Sequence, residues 1–233
     1  PVDLVERDTN GGFAVAANAG LERAGGDYVL FLNPDTVLPP AAIDQLVAAA
    51  EARPAAAVVT PALVNIDGTP QAMVEDDITF GRALRGMARL GPRVRPRPAP
   101  DSGPPVAIDW AHAACFLMPL DRARRLRGFD ERFFFGGEDM DLCRRARAAG
   151  FEVVVVPEVR VRHAGGASVD AARSSRDAFR VHATATAFAI RYGPAAARAF
   201  ALAALAVHGV AGHREQAAAA AAVLRGRPPK VPA

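Results

Sequence analysis

In the first third of the chain, short continuous apolar runs alternate with segments whose apolar residues recur at helical spacing. Residues 13–24 are rich in alanine with apolar positions at helical spacing, and residues 41–52 repeat this pattern behind two prolines. The apolar run Tyr28–Leu32 lies between them, bounded by turn-forming residues, and a shorter apolar run covers 58–61. Residues 64–71 contain an Asp-Gly pair typical of a turn. The pattern predicts helix, strand, helix and strand, followed by a turn-containing connection.

The alternation resumes after an interruption. Residues 81–105 contain arginines, glycines and six prolines, which predict an irregular loop at the edge of an active site. A strand-like segment follows at 106–120, then a helix over 139–149 that Gly150 stops, then a strand over 151–157. Alternating strands and helices favour an α/β fold with an open, mostly parallel sheet. Its ligand site is expected beyond the carboxyl ends of the strands.

The sequence pattern also predicts how the chain is divided into domains. We expect a catalytic domain over residues 1–192 and an alanine-rich helical extension over 193–233. The longest uncharged stretch of this extension is too short to cross a membrane, so it either packs on the domain or lies on a membrane surface. The chain starts inside a strand-like stretch without an initiator Met or a signal-peptide pattern. We therefore expect that the fold begins before residue 1.

Composition narrows the class of protein. A chain of 233 residues with 51% hydrophobic content can bury one substantial core. Its net charge of +3 is spread among prolines and acidic residues, so nucleic acid is not the expected partner. Cys115 and Cys143 lack metal-ligand spacing, which indicates neither a zinc site nor a disulfide framework. A reducing cytoplasm fits this composition.

The first chemical candidate follows the strand Tyr28–Leu32. Asn33 and Asp35 come directly after it, where a hard divalent cation and a diphosphate could meet. The alternative interpretation is a turn in which these side chains satisfy the backbone. The short motif alone leaves both interpretations open.

The second candidate is a group of carboxylates at the start of a helix. Glu138, Asp139 and Asp141 follow two glycines. The helix dipole accounts for one or two acids there, but three repel one another unless a metal, an arginine or a substrate hydroxyl engages them. Arg144 and Arg145 could steady the group, although a solvated helix surface explains Arg145 equally well. One of the carboxylates could act as a general base.

The third candidate is His163, which follows a strand and precedes a glycine-rich turn. An imidazole in this position could complete the ligand set of a metal ion. A histidine that only makes structural hydrogen bonds is the alternative.

The order of these segments resembles bacterial family-2 glycosyltransferases, particularly the rhamnosyltransferase-like branch. The resemblance covers roughly residues 1–192 and depends on ordered spacing, because no single short motif is specific. The matching motifs are N-x-G-F at 10–13, A-x-N-x-G at 16–20, L-N-P-D at 32–35, G-F-D-E-x-F-F at 128–134, E-D-x-D-L-C-x-R at 138–145 and H-x-x-G-x-S at 163–168. The W-x-x-G-A motif at 110–114 has alanine in place of its glycine.

The resemblance implies a GT-A (Rossmann-like) fold with flanking helices, and it implies that the usual first nucleotide-binding segment precedes this chain. Asn10, Gly12 and Asn18 match positions near the donor nucleotide. Asp35 matches the metal-binding acid of a D-x-D-like site, and Asn33 replaces the first acid of that site. Both residues are therefore expected to contact the donor.

The remaining matches concern the reaction itself. Asp139 matches the general base, Glu138 matches a contact to the acceptor hydroxyl, and Trp110 matches a platform for the acceptor or donor. His163 matches a late metal ligand, so the resemblance implies Mg²⁺ or Mn²⁺ held by Asp35 and His163.

The function implied by the resemblance is that of an inverting, metal-dependent hexosyltransferase. It moves a sugar from a UDP- or dTDP-sugar to a hydroxyl of a glycan or lipid-linked acceptor in cell-envelope polysaccharide synthesis. The expected location is the cytoplasm, with a contact at the inner face of the membrane as an open alternative. A catalytically impaired protein that binds nucleotide sugars or acts as a scaffold is the alternative function.

Overall fold

A computed structural model describes residues 2–77, 79–87, 96–165 and 173–226. The chain forms two compact units. The first lies within residues 1–77, 95–131 and 138–167, and the second within 78–94, 132–137 and 168–233. Every candidate site residue named above belongs to the first unit.

The first unit is built on a sheet whose strands are β1 (Tyr28–Leu32), β2 (Thr36–Val37), β3 (Ala56–Val64), β5 (Val106–Ala107), β7 (Cys115–Pro119) and β8 (Glu152–His163). The strand order is β1-β7-β3-β8-β2, with β5 also paired to β8. A separate two-stranded sheet pairs β4 (Val74–Glu75) with β6 (Trp110–Ala111).

The directions of the strands correct one expectation. β1, β3 and β8 run the same way, because β3 and β8 are parallel and β7 lies antiparallel between β1 and β3. β2 and β5 run antiparallel to β8, so the sheet is mixed and not mostly parallel. β5, β6 and β7 follow one another without an intervening helix. This run lacks the alternating helices that join the strands of a parallel sheet.

Helices of the first unit flank this sheet. They are α1 (Phe13–Arg23), α2 (Ala42–Ala52), α4 (Leu120–Arg125) and α5 (Glu138–Ala148). Every residue of β3 is buried, and Leu46 of α2 and Phe116 of β7 belong to the same core. Phe129 packs edge-on against both Phe13 and Phe31. A strand buried along its whole length explains the continuous apolar pattern of residues 56–64.

The strand β8 is longer than the predicted 151–157. Its pairing with β3 shifts between Pro61, which is opposite Val156, and Ala62, which is opposite Arg160. Pro157 lies in this irregularity, where a missing N–H interrupts no regular ladder. Beyond it, buried and exposed positions alternate to the end of the strand. The extension carries the chain to His163.

The second unit contains α3 (Phe80–Met87), α6 (Arg173–Tyr192), α7 (Pro194–Val210) and α8 (Arg214–Leu224). The ring of Phe188 contacts the rings of Phe80 and Phe200. The helix α6 therefore belongs to the same unit as the tail helices α7 and α8. The boundary that we expected at residue 192, between a catalytic domain and a helical extension, stays a prediction. Among the described residues, no helix combines the length and apolarity needed to span a membrane.

Part of the predicted loop at 81–105 is helical. The helix α3 starts behind Thr79, whose side-chain oxygen accepts a hydrogen bond from the backbone of the first turn. This N-cap was not predicted from the sequence pattern. Residues 88–95 lie outside the described residues, as do residues 166–168 of the predicted H-x-x-G-x-S motif.

Candidate active site

The pairing of two strands brings Asp35 and His163 together. Thr36 of β2 is opposite His163 of β8, and the Ala164 N–H donates to the Asp35 carbonyl at 2.9 Å. The side chains meet with His163 Nε2 at 3.3 Å from Asp35 Oδ1. Both side chains keep partial access to solvent, with 21% of Asp35 and 14% of His163 exposed. The first and third sequence candidates therefore form one site.

The imidazole of His163 is held on both sides. Its Nδ1 lies 2.8 Å from Oε1 of Gln71, a residue in the turn after β3. Burial lowers the pKa of His163 below its ordinary value of 6.5, and the neighbouring Asp35 opposes this shift only in part. The neutral ring is therefore favoured near pH 7, as metal binding requires. Gln71 lay in a predicted connection, and no pattern in the sequence singled it out.

These two side chains fit a divalent cation. A carboxylate oxygen and an imidazole nitrogen are ligand types that Mn²⁺ accepts, and their separation suits neighbouring positions around one ion. Within the described ranges, no cluster of three or more His, Cys, Asp or Glu side chains forms a ready-made cage. A cation held here would take its other ligands from water or a diphosphate.

A second acid stands at the start of α5. Asp139 Oδ1 accepts from the Met140 N–H at 2.8 Å, and Oδ2 accepts from the Ala113 N–H at 3.4 Å. The next residue, Ala114, accepts a hydrogen bond from the Asn33 N–H at 2.9 Å. The segment before β7 therefore links Asp139 to the turn that carries Asp35. Glu138, the first residue of α5, is 8% exposed.

The third acid of the group has a structural environment. Asp141 is buried and bound by Arg144 at 2.9 Å and Arg145 at 2.6 Å. Arg145 also donates to the carbonyls of Leu126 and Gly128. The carboxylate charge of Asp141 is thus neutralised within the helix, and Arg145 is more than a solvated surface residue. This arrangement ties α5 to the residues that directly follow α4.

Of the predicted donor-binding residues, Asn10 and Gly12 shape the start of α1. The Gly12 N–H donates to Asn10 Oδ1 at 3.0 Å, and Gly12 adopts φ 85° and ψ 177°, which a side chain would disfavour. Asn18 holds a loop: it accepts from the Phe129 N–H at 2.9 Å and donates to the Phe129 carbonyl at 2.8 Å. It also donates to Glu131 at 3.0 Å. These contacts account for Asn18 structurally, and donor binding by all three stays a prediction.

Trp110 is nearly buried, with 7% of the residue exposed. Its indole N–H donates to the Asp76 carbonyl at 3.3 Å, and its ring lies 5.5 Å from that of His112. Little of the indole surface is available as a sugar platform. The role of Trp110 as a platform for the acceptor or donor stays a prediction.

The family profile described as "Glycosyltransferase like family 2" matches residues 2–180. The chain belongs to glycosyltransferase family 2. This confirms the resemblance inferred from the ordered motifs, and the match covers both Asp35 and His163.

Two curated relatives of this family-2 chain are named for rhamnosyl transfer and for O-antigen biosynthesis. An N-acetylglucosaminyl-diphospho-decaprenol L-rhamnosyltransferase of Mycobacterium tuberculosis is 29% identical over 182 residues, covering 70% of the chain and 58% of the relative. The O-antigen biosynthesis protein RfbC of Myxococcus xanthus is 32% identical over 158 residues, covering 65% of the chain and 12% of the relative. The chain thus spans only part of the length of either protein.

Solved structures support the GT-A fold of this family-2 chain. GalNAc-T7 with UDP, GalNAc and Mn²⁺ matches 67% of the chain and 31% of its own length, with a TM-score of 0.51 at 18% identity. The mannosyltransferase PcManGT from Pyrobaculum calidifontis, in complex with GDP-Man and Mn²⁺, matches 96% of the chain and 56% of its own length, with a TM-score of 0.51 at 19% identity. The predicted α/β, GT-A class is confirmed.

Proposed function

We propose that this family-2 chain transfers a sugar from a nucleotide-sugar donor to a hydroxyl of a glycan or lipid-linked acceptor in cell-envelope polysaccharide synthesis. The contact between Asp35 and His163 carries the proposal, because it unites two separate motifs in one potential diphosphate site. The decaprenol-linked substrate named for the mycobacterial relative supports the acceptor class. The proposed location is the cytoplasm, with a contact at the inner face of the membrane.

Asp35 and His163 are the proposed ligands of Mg²⁺ or Mn²⁺, and the Mn²⁺ named for both structural neighbours supports this cofactor. A cation held by these two residues would neutralise the charge that develops on the departing diphosphate. The other residues proposed to contact the donor are Asn10, Gly12, Asn18 and Asn33. The nucleotide is proposed to be UDP or dTDP.

Asp139 is the proposed general base. Two backbone N–H groups fix its carboxylate, and the N-terminus of α5 favours negative charge there. As the acceptor oxygen attacks the anomeric carbon, its proton passes to Asp139 and the bond from that carbon to the diphosphate oxygen breaks. A single displacement of this kind inverts the anomeric configuration. Glu138 is proposed to orient the acceptor hydroxyl.

The test separates binding from transfer. Calorimetric titration with UDP and with dTDP, each with and without Mn²⁺, should show metal-dependent binding that Asp35→Asn weakens. Asp139→Asn should lower transfer by at least about 100-fold, the usual contribution of a general base, while donor binding is kept. Unchanged turnover in Asp139→Asn would exclude that residue as the base. A folded chain that binds neither nucleotide would exclude a donor site within these residues alone.

A further inference from the structure

A chain of hydrogen bonds leads from His163 into the turn after β3. Gln71 Oε1 lies 2.8 Å from His163 Nδ1, and Gln71 Nε2 lies 3.1 Å from Asn65 Oδ1. Asn65 Nδ2 lies 2.9 Å from Thr69 Oγ1, which lies 2.6 Å from Asp67 Oδ1. Five side chains are thus connected in series.

The far end of the series determines the direction of every bond in it. Hydrogen bonds from the Thr69 side chain and backbone lower the pKa of Asp67 below 3.8, so its carboxylate is ionised at neutral pH and can only accept. The Thr69 hydroxyl must therefore donate to Asp67 and accept from the amide nitrogen of Asn65. The Asn65 oxygen then accepts from the amide nitrogen of Gln71. The Gln71 oxygen is left to accept from Nδ1–H of His163.

This direction selects one tautomer of the imidazole. With the proton on Nδ1, the Nε2 atom carries a lone pair, and Nε2 is the atom 3.3 Å from Asp35 Oδ1. Two acceptor atoms then face each other, an arrangement that a cation between them would relieve. Without a cation, the Asp35 carboxylate favours a proton on Nε2, so the series through Gln71 competes with Asp35 for the tautomer. The opposite tautomer would place an N–H on Nε2 and exclude a metal ion from it.

The backbone holds Gln71 in place for this role. The Gln71 N–H donates to the Leu63 carbonyl at 2.9 Å, and the Asn65 N–H donates to the Thr69 carbonyl at 2.8 Å, closing the turn. Val64 is paired with Arg162, next to His163, so the turn and the imidazole meet at the same end of β3 and β8. A Cβ on Gly165 would lie 2.7 Å from Gln71 Nε2, so the backbone of Gly165 also lies close to the amide.

We propose that Gln71 is a positioning residue for the metal site: through the directed series Gln71, Asn65, Thr69 and Asp67, it holds His163 in the tautomer whose Nε2 lone pair faces Asp35. The proposal rests on the proposed function for the identity of the bound group, a divalent cation. The selection of the tautomer depends only on residues of this chain, so it can be measured without metal or substrate.

The direct test is ¹⁵N NMR of the metal-free chain with labelled histidine, with the His163 signals identified through His163→Asn. Two-bond ¹H–¹⁵N correlations should show a protonated Nδ1 and an unprotonated Nε2 for His163 near pH 7.5. Gln71→Leu removes the acceptor at similar size and should yield a mixture or the Nε2–H tautomer. Gln71→Glu keeps an acceptor oxygen opposite Nδ1 and should keep the proton on that atom. Gln45→Leu, at an exposed position of α2, is the matched control and should change nothing.

Metal binding provides the second readout. Gln71→Leu should weaken Mn²⁺ binding by about 10-fold or more, as is common when the partner of a metal-bound histidine is lost, with circular dichroism confirming the fold. A wild-type His163 that carries its proton on Nε2, or a Gln71→Leu variant with unchanged tautomer and affinity, would overturn the proposal. If the NMR shows the expected tautomers but the wild type does not bind Mn²⁺, the role of Gln71 stands and the proposed metal site is refuted.

Discussion

Replacing Arg145 with methionine should destabilise the chain far more than the same replacement at Arg144. The two arginines are adjacent on α5, both bind the buried Asp141, and their side chains are 26% and 27% exposed. Arg145 alone also donates to the carbonyls of Leu126 and Gly128. The pair therefore isolates the contribution of those two backbone contacts, because residue type, exposure and the shared carboxylate are matched.

The magnitude follows from the bonds that each variant loses. A hydrogen bond involving a charged group contributes about 1.5–3 kcal/mol, less where solvent reaches the pair. Arg144→Met loses one such bond while Arg145 still neutralises Asp141, so we expect a cost of about 1 kcal/mol. Arg145→Met loses three and leaves two carbonyls without this donor, so we expect about 3 kcal/mol. For a protein of this size, the difference corresponds to roughly 4–8 °C in melting temperature.

Thermal and urea unfolding of both variants, followed by far-ultraviolet circular dichroism, would measure these costs. Fluorescence of Trp110 provides a probe that lies within the first unit. Equal melting temperatures for the two variants would refute the importance of the contacts to Leu126 and Gly128. A larger loss of melting temperature for Arg144→Met would refute it as well.

Two further predictions concern the same core. Gly128→Ala should lower the melting temperature more than Gly150→Ala. Both glycines have positive φ, but only at Gly128 would the added Cβ meet another atom, Asn18 Oδ1, at 2.2 Å. Equal losses of melting temperature would show that backbone strain alone matters. Burial raises the pKa of Cys115 and of Cys143 to about 12, so both remain thiols at pH 8. Iodoacetamide should therefore label neither in the native chain and both in urea, and native labelling would contradict the buried, protonated state.

Local pattern was sufficient to predict much of the fold. The strand Tyr28–Leu32 was predicted with the bounds that the structure has, and α2 and α5 within one or two residues. These elements have strong local signals: an apolar run between turn residues, alanine-rich helical spacing, and acids at the start of a helix. The predicted sheet direction failed because strand polarity depends on connections, not on composition.

The candidate site, too, was predicted only in part from the sequence. Asp35, Asp139 and His163 could be selected from the sequence, because each combines a suitable chemical group with the end of a strand or the start of a helix. Their ordered motifs identified the family. The sequence also presented Glu138, Asp139 and Asp141 as equivalent neighbours, whereas the fold surrounds Asp141 with arginines and supplies Asp139 with backbone N–H groups.

By itself, the sequence determined the chemical groups, the helices and strands with strong local patterns, and the family. Only the tertiary structure decided which of those groups meet. Gln71 and His163 are 92 positions apart, and their contact exists because β3 and β8 run parallel and end at the same edge of the sheet. Asp35 joins them through the pairing of β2 with β8. Such contacts depend on strand order and register, which long-range packing sets and local residue spacing does not encode.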